Sequence, residues 1–244
     1  MLRDDLLLRT RLTPPRPHRR VLPRPQLAAR LRDALDCRLT VTQAGTGYGK
    51  TTALAGLKDD ATRLFWLTLD ESDRDPQQFL TYLIAAFRVG LPELPEAPLA
   101  LLGELGNGGA VQPGQVIDAL INALTVSLDA PALLALDDYH IVNTSPEINS
   151  LVERFIAFLP ADLHVIISTR HPVAFGSLPT WRARGETLEI GRADLAFRLD
   201  EAAELFRETY DMNLAPDELL LLYDKTEGWP IALQLAGQGL RSGA

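Results

Sequence analysis

Leu39-Thr40-Val41-Thr42 runs without a break into Gln43-Ala44-Gly45-Thr46-Gly47-Tyr48-Gly49-Lys50-Thr51-Thr52 and on into Ala53-Leu54-Ala55-Gly56-Leu57. The opening residues are short and β-branched, the closing ones have helical spacing, and Gly45, Gly47 and Gly49 join them. This pattern predicts a strand, a glycine loop and a helix. Glycines at such a junction let consecutive backbone N–H groups turn inward around phosphate oxygens. The chemistry also needs a lysine for the β- and γ-phosphates and a hydroxyl for Mg²⁺, and Lys50 and Thr51 follow directly. The usual spacing is G-x-x-x-x-G-K-[ST]. Its first glycine falls on Ala44, a sterically mild departure.

Outward from this loop, apolar runs alternate with helical patterns. Leu64 to Leu69, Ala132 to Leu136 and Leu163 to Ile167 read as strands, with a shorter one at Thr187 to Ile190. Between them Asp75 and Pro76 open a helix from Gln77 to Arg88, a second runs from about Gln115 to Leu128, and Ser145-Pro146 start a third that reaches Leu159. Residues 90 to 114 are rich in Gly and Pro and read as a long surface insertion or flexible loop with one short helix inside it. Near-continuous apolar strands alternating with helices predict an α/β fold: a mainly parallel, five-stranded sheet covered on both faces, with ligands at the carboxyl ends of its strands. From Leu199 the period is purely helical. Asp200 caps Glu201 to Tyr210, Pro216 opens a helix to about Lys225, and Trp229-Pro230 opens another to Leu240. The expected organisation is a basic leader at 1–38, a phosphate-loop core at 39–191 and a truncated helical subdomain at 192–244.

The 244 residues are 46% apolar and carry a formal net charge of −8, which describes a globular chain with ample core. The single cysteine, Cys37, and four scattered histidines supply neither a disulfide framework nor a thiolate metal site. No apolar run approaches the roughly 18 residues of a membrane span, and no signal-peptide core is present, so the expected location is cytoplasmic. Residues 1–38 hold ten Arg against four Asp. Within this arm Arg9 to Pro25 contains five prolines and reads as extended, non-helical chain. It has no interleaved aromatics, so a solvated or back-packed leader is expected rather than a nucleic-acid arm.

The strand Ala132 to Leu136 ends in Asp137-Asp138. The first carboxylate is placed to hold Mg²⁺ and the second to orient an attacking water. Asp138 is one methylene shorter than a glutamate, which predicts slow turnover. Arg170, at the end of the strand expected between the loop strand and the Asp137 strand, is the candidate γ-phosphate sensor. The N-K-x-D guanine reader is absent, since none of the three lysines follows an Asn, so adenine is the expected base. Neither G-x-S-x-G nor H-E-x-x-H occurs, which excludes the hydrolase classes built on them.

Several of these stretches together resemble the ATPase module of MalT-type, large LuxR-family transcriptional regulators, within the STAND class of P-loop switches. They are Gly47 to Thr52, Trp66 to Asp73 with Asp75-Pro76, Phe79 to Ala86, Leu136-Asp137-Asp138-Tyr139-His140, Ser168-Thr169-Arg170, Leu188 to Ile190, Leu195 to Phe197 and Gly228 to Leu233. The resemblance runs from about Leu12 to the last helix. It implies ATP or ADP with Mg²⁺ as ligands, held by Gly45, Thr46, Gly47, Tyr48, Gly49, Lys50, Thr51 and Thr52. Lys50 and Asp138 take the catalytic roles, and Thr51 and Asp137 the metal. By the same resemblance Arg170 is the sensor, Pro230 packs near adenine, and Arg24, ahead of the first helix, borders the adenine site. Family members hydrolyse slowly and self-associate when ATP is bound and an inducer is sensed.

Their chains continue into a helical-repeat sensor and a helix-turn-helix. Neither is in these residues, so a fragment without direct DNA contact is expected. Two other readings of the loop remain: a small-molecule kinase with Trp181-Arg182-Ala183-Arg184 as its lid, and a catalytically silent adapter that holds ADP.

Overall fold

The computed structural model describes residues 7–16, 21–57 and 62–242. Its sheet has five strands, β1 (Leu39–Gln43), β2 (Arg63–Thr68), β3 (Ala132–Asp137), β4 (Leu163–Thr169) and β5 (Thr187–Ile190), in the order β2-β3-β4-β1-β5. Every pairing is parallel, so all five carboxyl ends lie along one edge. β4 lies between β1 and β3, which puts the Arg170 end of one strand between the glycine loop and Asp137.

The period of two along each strand divides the core between the sheet's faces. Leu39, Val41, Phe65, Leu67, Leu134, Leu136, Val165 and Ile167 join one large cluster, whereas Trp66, Leu133, Ala135, Ile166 and Ile190 join another. The second cluster is covered by α1 (Pro25–Arg32) and α2 (Lys50–Ala55) through Leu27, Leu31 and Leu54. Four longer helices supply side chains to the first: α3 (Pro76–Gly90), α4 (Ala97–Gly106), α5 (Pro113–Ser127) and α6 (Pro146–Ala157), joined by the short α7 (Leu178–Ala183). The start signals act as read: Asp75 accepts from the Gln78 N–H at 2.8 Å, and Ser145 from the Ile148 N–H at 3.4 Å.

A one-turn α8 (Arg192–Leu195) leads to α9 (Leu199–Tyr210), α10 (Pro216–Thr226) and α11 (Pro230–Ser242). These last three pack around a separate cluster of Phe197, Ala202, Leu205, Phe206 and Leu233, which also takes Leu22 from the N-terminal segment. No described helix is long and apolar enough to cross a membrane.

Three expectations need correction. Residues 90–114 are not a loose insertion: α4 is ten residues long, and Leu91, Leu94 and Leu102 are buried in the large cluster. Pro98 sits in that helix's first turn, where it costs no hydrogen bond, and Gly106 closes it against the Gln77 side chain. Arg9–Leu12 form a 3-10 turn rather than extended chain. Arg11 is buried there, ion-paired to Asp73 and to Asp70 at 3.0 Å, donating to the Thr68 carbonyl at 2.9 Å and lying over the Tyr82 ring. Asp200 does not cap α9, which begins one residue earlier; the Glu201 carboxylate instead accepts the Arg198 N–H at 2.9 Å. Parts of the basic leader, at 1–6 and 17–20, lie outside the described residues.

Candidate functional site

The loop between β1 and α2 has the backbone its glycines foretell. Gly47 and Gly49 adopt φ 79° and 74°, the left-handed region closed to most side chains. Ala44 needs no such freedom. Its N–H donates to the Thr169 carbonyl at 3.2 Å, which continues the β1–β4 ladder one residue past the strand, so a methyl group is tolerated where the usual pattern has glycine. Gly45, Thr46 and Thr52 are exposed, while Tyr48 and Lys50 are buried.

Lys50 turns back onto its own loop, with Nζ donating to the carbonyls of Ala44 at 2.8 Å and Gly45 at 3.0 Å. Burial lowers its pKa, an effect that Asp138 opposes and Arg170 reinforces. Across the sheet edge the Thr51 hydroxyl donates to Asp137 Oδ1 at 3.1 Å, and the buried Ser168 hydroxyl donates to the same oxygen. Burial is the largest influence on Asp137 and pushes its carboxyl above the usual aspartate range, against the pull of these hydroxyls. Ser168 also accepts the Asp138 N–H at 3.2 Å and so fixes the backbone of the acidic pair.

Asp138 sits at φ 58°, a conformation Asp tolerates better than most residues and one that turns the chain sharply after β3. Its Oδ1 lies 3.7 Å from His140 Nδ1. That nitrogen is buried with no hydrogen-bond partner, and burial, followed by the Arg170 charge, lowers the imidazole pKa. Arg170 itself is exposed, with no hydrogen bond or ion pair to the described residues. It borders a cavity of about 370 Å³ that Gln43, Ala44, Gly45, Arg182 and Arg192 also line. A larger groove of about 560 Å³ lies elsewhere, along α6, and contains none of the loop residues.

The loop, the acidic pair and Arg170 therefore meet at one sheet edge. Arg24 does not point to the loop. Its guanidinium donates to the carbonyls of Leu195 and Ala196 at 2.7 Å each and of Asp194 at 3.3 Å, pairs with Glu201 at 2.9 Å, and lies over Phe197. Pro230, buried at the start of α11, is next to two residues that reach the loop: Trp229 Nε1 donates to the Thr46 carbonyl, and the Ile231 N–H to that of Gly47.

Ser168, His140, Trp229 and Ile231 were not singled out as site residues by sequence. For Trp229 and Ile231 the signal was present, since they flank Pro230 in Gly228-Trp229-Pro230-Ile231.

The residues present fit Mg²⁺. A hydroxyl and a carboxylate 3.1 Å apart beside a phosphate loop are the one or two protein groups this cation takes alongside phosphate oxygens and water. No group of three or more His, Cys, Asp or Glu side chains among the described residues forms an all-protein cage.

No protein-family model matches the chain. It is 34% identical over 236 residues to the HTH-type transcriptional regulator MalT of Yersinia pestis, a match covering 94% of this chain and 25% of that protein. Its fold resembles the STAND protein with a tetratricopeptide repeat sensor from Pyrococcus horikoshii, with TM-score 0.63, 20% identity, and coverage of 91% of this chain and 30% of the other. It also resembles the Walker-type ATPase of Pyrococcus abyssi, with TM-score 0.60, 16% identity, and coverage of 94% and 71%. The chain thus spans about a quarter of the length of the curated relatives it matches, and over that span it is similar in sequence to MalT-type regulators and has a P-loop fold.

Proposed function

We propose that this chain is an ATP- and ADP-binding switch module of a STAND-class, LuxR-family transcriptional regulator, cytoplasmic, and slow in hydrolysis. The observation that carries the reading is the convergence of Lys50, Thr51 and Asp137, with Thr51 Oγ1 3.1 Å from Asp137 Oδ1 at the carboxyl edge of the sheet. The core spans 39–191, the basic leader 1–38 and the helical subdomain 192–244.

Gly45 to Gly49 wrap the phosphates with backbone N–H groups, and Lys50 leaves the Ala44 and Gly45 carbonyls to meet the β- and γ-oxygens. Thr51 and Asp137 hold Mg²⁺, which neutralises phosphate charge when bound. Asp138 orients the water through its carboxylate, and its short side chain leaves that water loosely placed. Arg170, with no hydrogen bond or ion pair to the described residues, pairs with the γ-phosphate and so distinguishes ATP from ADP. Self-association in the ATP state and regulation of transcription belong to the longer relatives and come to this chain as part of the proposal.

The packing of α7 weighs against the kinase reading. Trp181 is buried in the core and Arg182 is paired to Glu189 at 2.5 Å, so α7 is a packed element.

The test is product formation by the purified protein. ADP is expected to appear slowly, with Mg²⁺ and without any acceptor, while Asp138→Asn retains ATP binding and loses turnover. ADP formation that depends strictly on an added acceptor alcohol would establish a phosphotransferase instead.

A further inference from the structure

The start of α11 grips the outside of the loop in an informative way. Trp229 Nε1–H donates to the Thr46 carbonyl at 3.0 Å, and the backbone N–H of Ile231 donates to the Gly47 carbonyl at 3.2 Å. These are consecutive peptide units, 183 residues away in sequence from the indole that binds the first. In a trans peptide the C=O and the N–H point in opposite directions, and no described peptide is cis. Holding the Thr46 carbonyl toward α11 therefore turns the Gly47 N–H away from it. Holding the Gly47 carbonyl does the same to the N–H of Tyr48. Successive N–H groups turned to one side are what an anion-binding loop requires.

Two further contacts keep the loop tip in place. The Tyr48 ring stacks on Trp229, with centroids 6.2 Å apart and planes at 28°. On Tyr48 also lies the Arg192 guanidinium, 5.7 Å from the ring centroid and ion-paired to Glu227 at the end of α10. The approach of α11 is close enough to need glycine beneath it. A Cβ on Gly47 would stand 2.4 Å from Ile231 Cγ2, so that residue supplies both its left-handed φ and the room for the contact.

We infer that Trp229 and the Ile231 amide are positioning groups for the phosphate loop: seating α11 orients the Gly47 and Tyr48 N–H groups toward an incoming phosphate. The inference rests on the nucleotide reading above and adds to it a route of regulation. Coupling of this kind is reciprocal, so a phosphate on the loop also holds α11 more tightly against it. Any event that lifts α11 leaves the two peptides free to rotate and the site with fewer aligned donors.

The test uses Trp229→Phe, which keeps a smaller aromatic ring against Tyr48 and removes the indole N–H. Loss of one hydrogen bond predicts an ADP affinity lower by roughly three- to tenfold, with the nucleotide-free protein still folded and its melting temperature lowered by no more than a few degrees. A purely structural Trp229 would bind ADP with unchanged affinity once folded, whatever the change in melting temperature.

A second measurement needs no variant. In the wild-type protein, exchange of the Ile231 amide hydrogen is expected to slow when ADP is added. An amide indifferent to saturating ADP, or a folded Trp229→Phe protein with wild-type affinity, would overturn the inference while leaving the nucleotide reading intact. If the wild-type protein binds no ADP at all, the nucleotide reading falls first and the inference with it.

Discussion

Replacing Arg11 by Met removes the charged head that fastens the N-terminal segment to the far edge of the sheet and keeps most of the apolar stem over Tyr82. Asp73 is then left with no cation. It is 0% exposed, its Oδ1 already lacks a partner, and its Oδ2 retains only the Asp70 N–H at 2.8 Å. Removing one member of a buried pair costs about 3–5 kcal/mol, because the other charge stays desolvated. The half-exposed Asp70 adds little, since its charge is screened by water. For a chain of this size the loss lowers the melting temperature by roughly 6–20 °C.

The penalty depends on pH in a defined direction. Burial holds the Asp73 carboxyl above the usual range even with Arg11 present, and without the guanidinium it moves higher still. Such a group favours the folded state while protonated and loses that contribution as pH rises through its folded pKa. The cost of Arg11→Met is therefore full near neutral pH and shrinks on acidification. Urea unfolding of the two single variants and of Arg11→Met with Asp73→Asn closes a double-mutant cycle. The double variant is expected to recover a large part of the loss. An Arg11→Met cost below about 1 kcal/mol, or a strictly additive cycle, would refute the reasoning. The strap matters to the site because Arg11 also holds the carbonyl of Thr68, the residue paired in register with Asp137.

The same linkage applies to Asp137, whose carboxyl is raised by burial: its ionised form costs stability at neutral pH. Asp137→Asn should raise the apo protein's melting temperature, while Mg²⁺ loses its effect on ATP affinity; earlier melting would contradict this. Arg24→Met strips donors from three carbonyls at the end of α8 and from Glu201, and should loosen α9 by about 2–4 kcal/mol. Hydrogen exchange along α9 reads this, and unchanged protection would show that the clamp is idle. Arg170→Ala, at an exposed position with no ion pair among the described residues, should leave stability within about 0.5 kcal/mol yet reduce the preference for ATP over ADP. Paired titrations with both nucleotides measure it, and an unaltered ratio would remove Arg170 from the sensor role.

The parallel sheet was legible because strands buried on both faces must be apolar throughout, as Ala132 to Leu136 and Leu163 to Ile167 are. The phosphate loop was legible because Gly47 and Gly49 occupy positions where a side chain cannot follow the backbone. The stretch 90–114 was misread because Gly and Pro suggest loops by composition, whereas Pro98 and Gly106 merely bound a helix whose leucines reach the core. The contacts that organise the site were hidden for a different reason. Ser168 with Asp137, Arg11 with Asp73, and Trp229 with Thr46 join residues 31, 62 and 183 positions apart, and no local period records such pairings. Arg24 was assigned to the adenine border by resemblance alone, and the long-range contacts that hold it, to α8 and Glu201, were equally invisible in the local pattern.

Calorimetric titration of ADP, ATP and GTP, with and without Mg²⁺, into the wild-type protein and Lys50→Ala decides whether the loop is a nucleotide site. Binding is expected to be selective for adenine nucleotides, strengthened by Mg²⁺ for ATP, and lost in Lys50→Ala without loss of fold. Equal affinity in the two proteins, or no nucleotide binding by the wild-type chain, would contradict it.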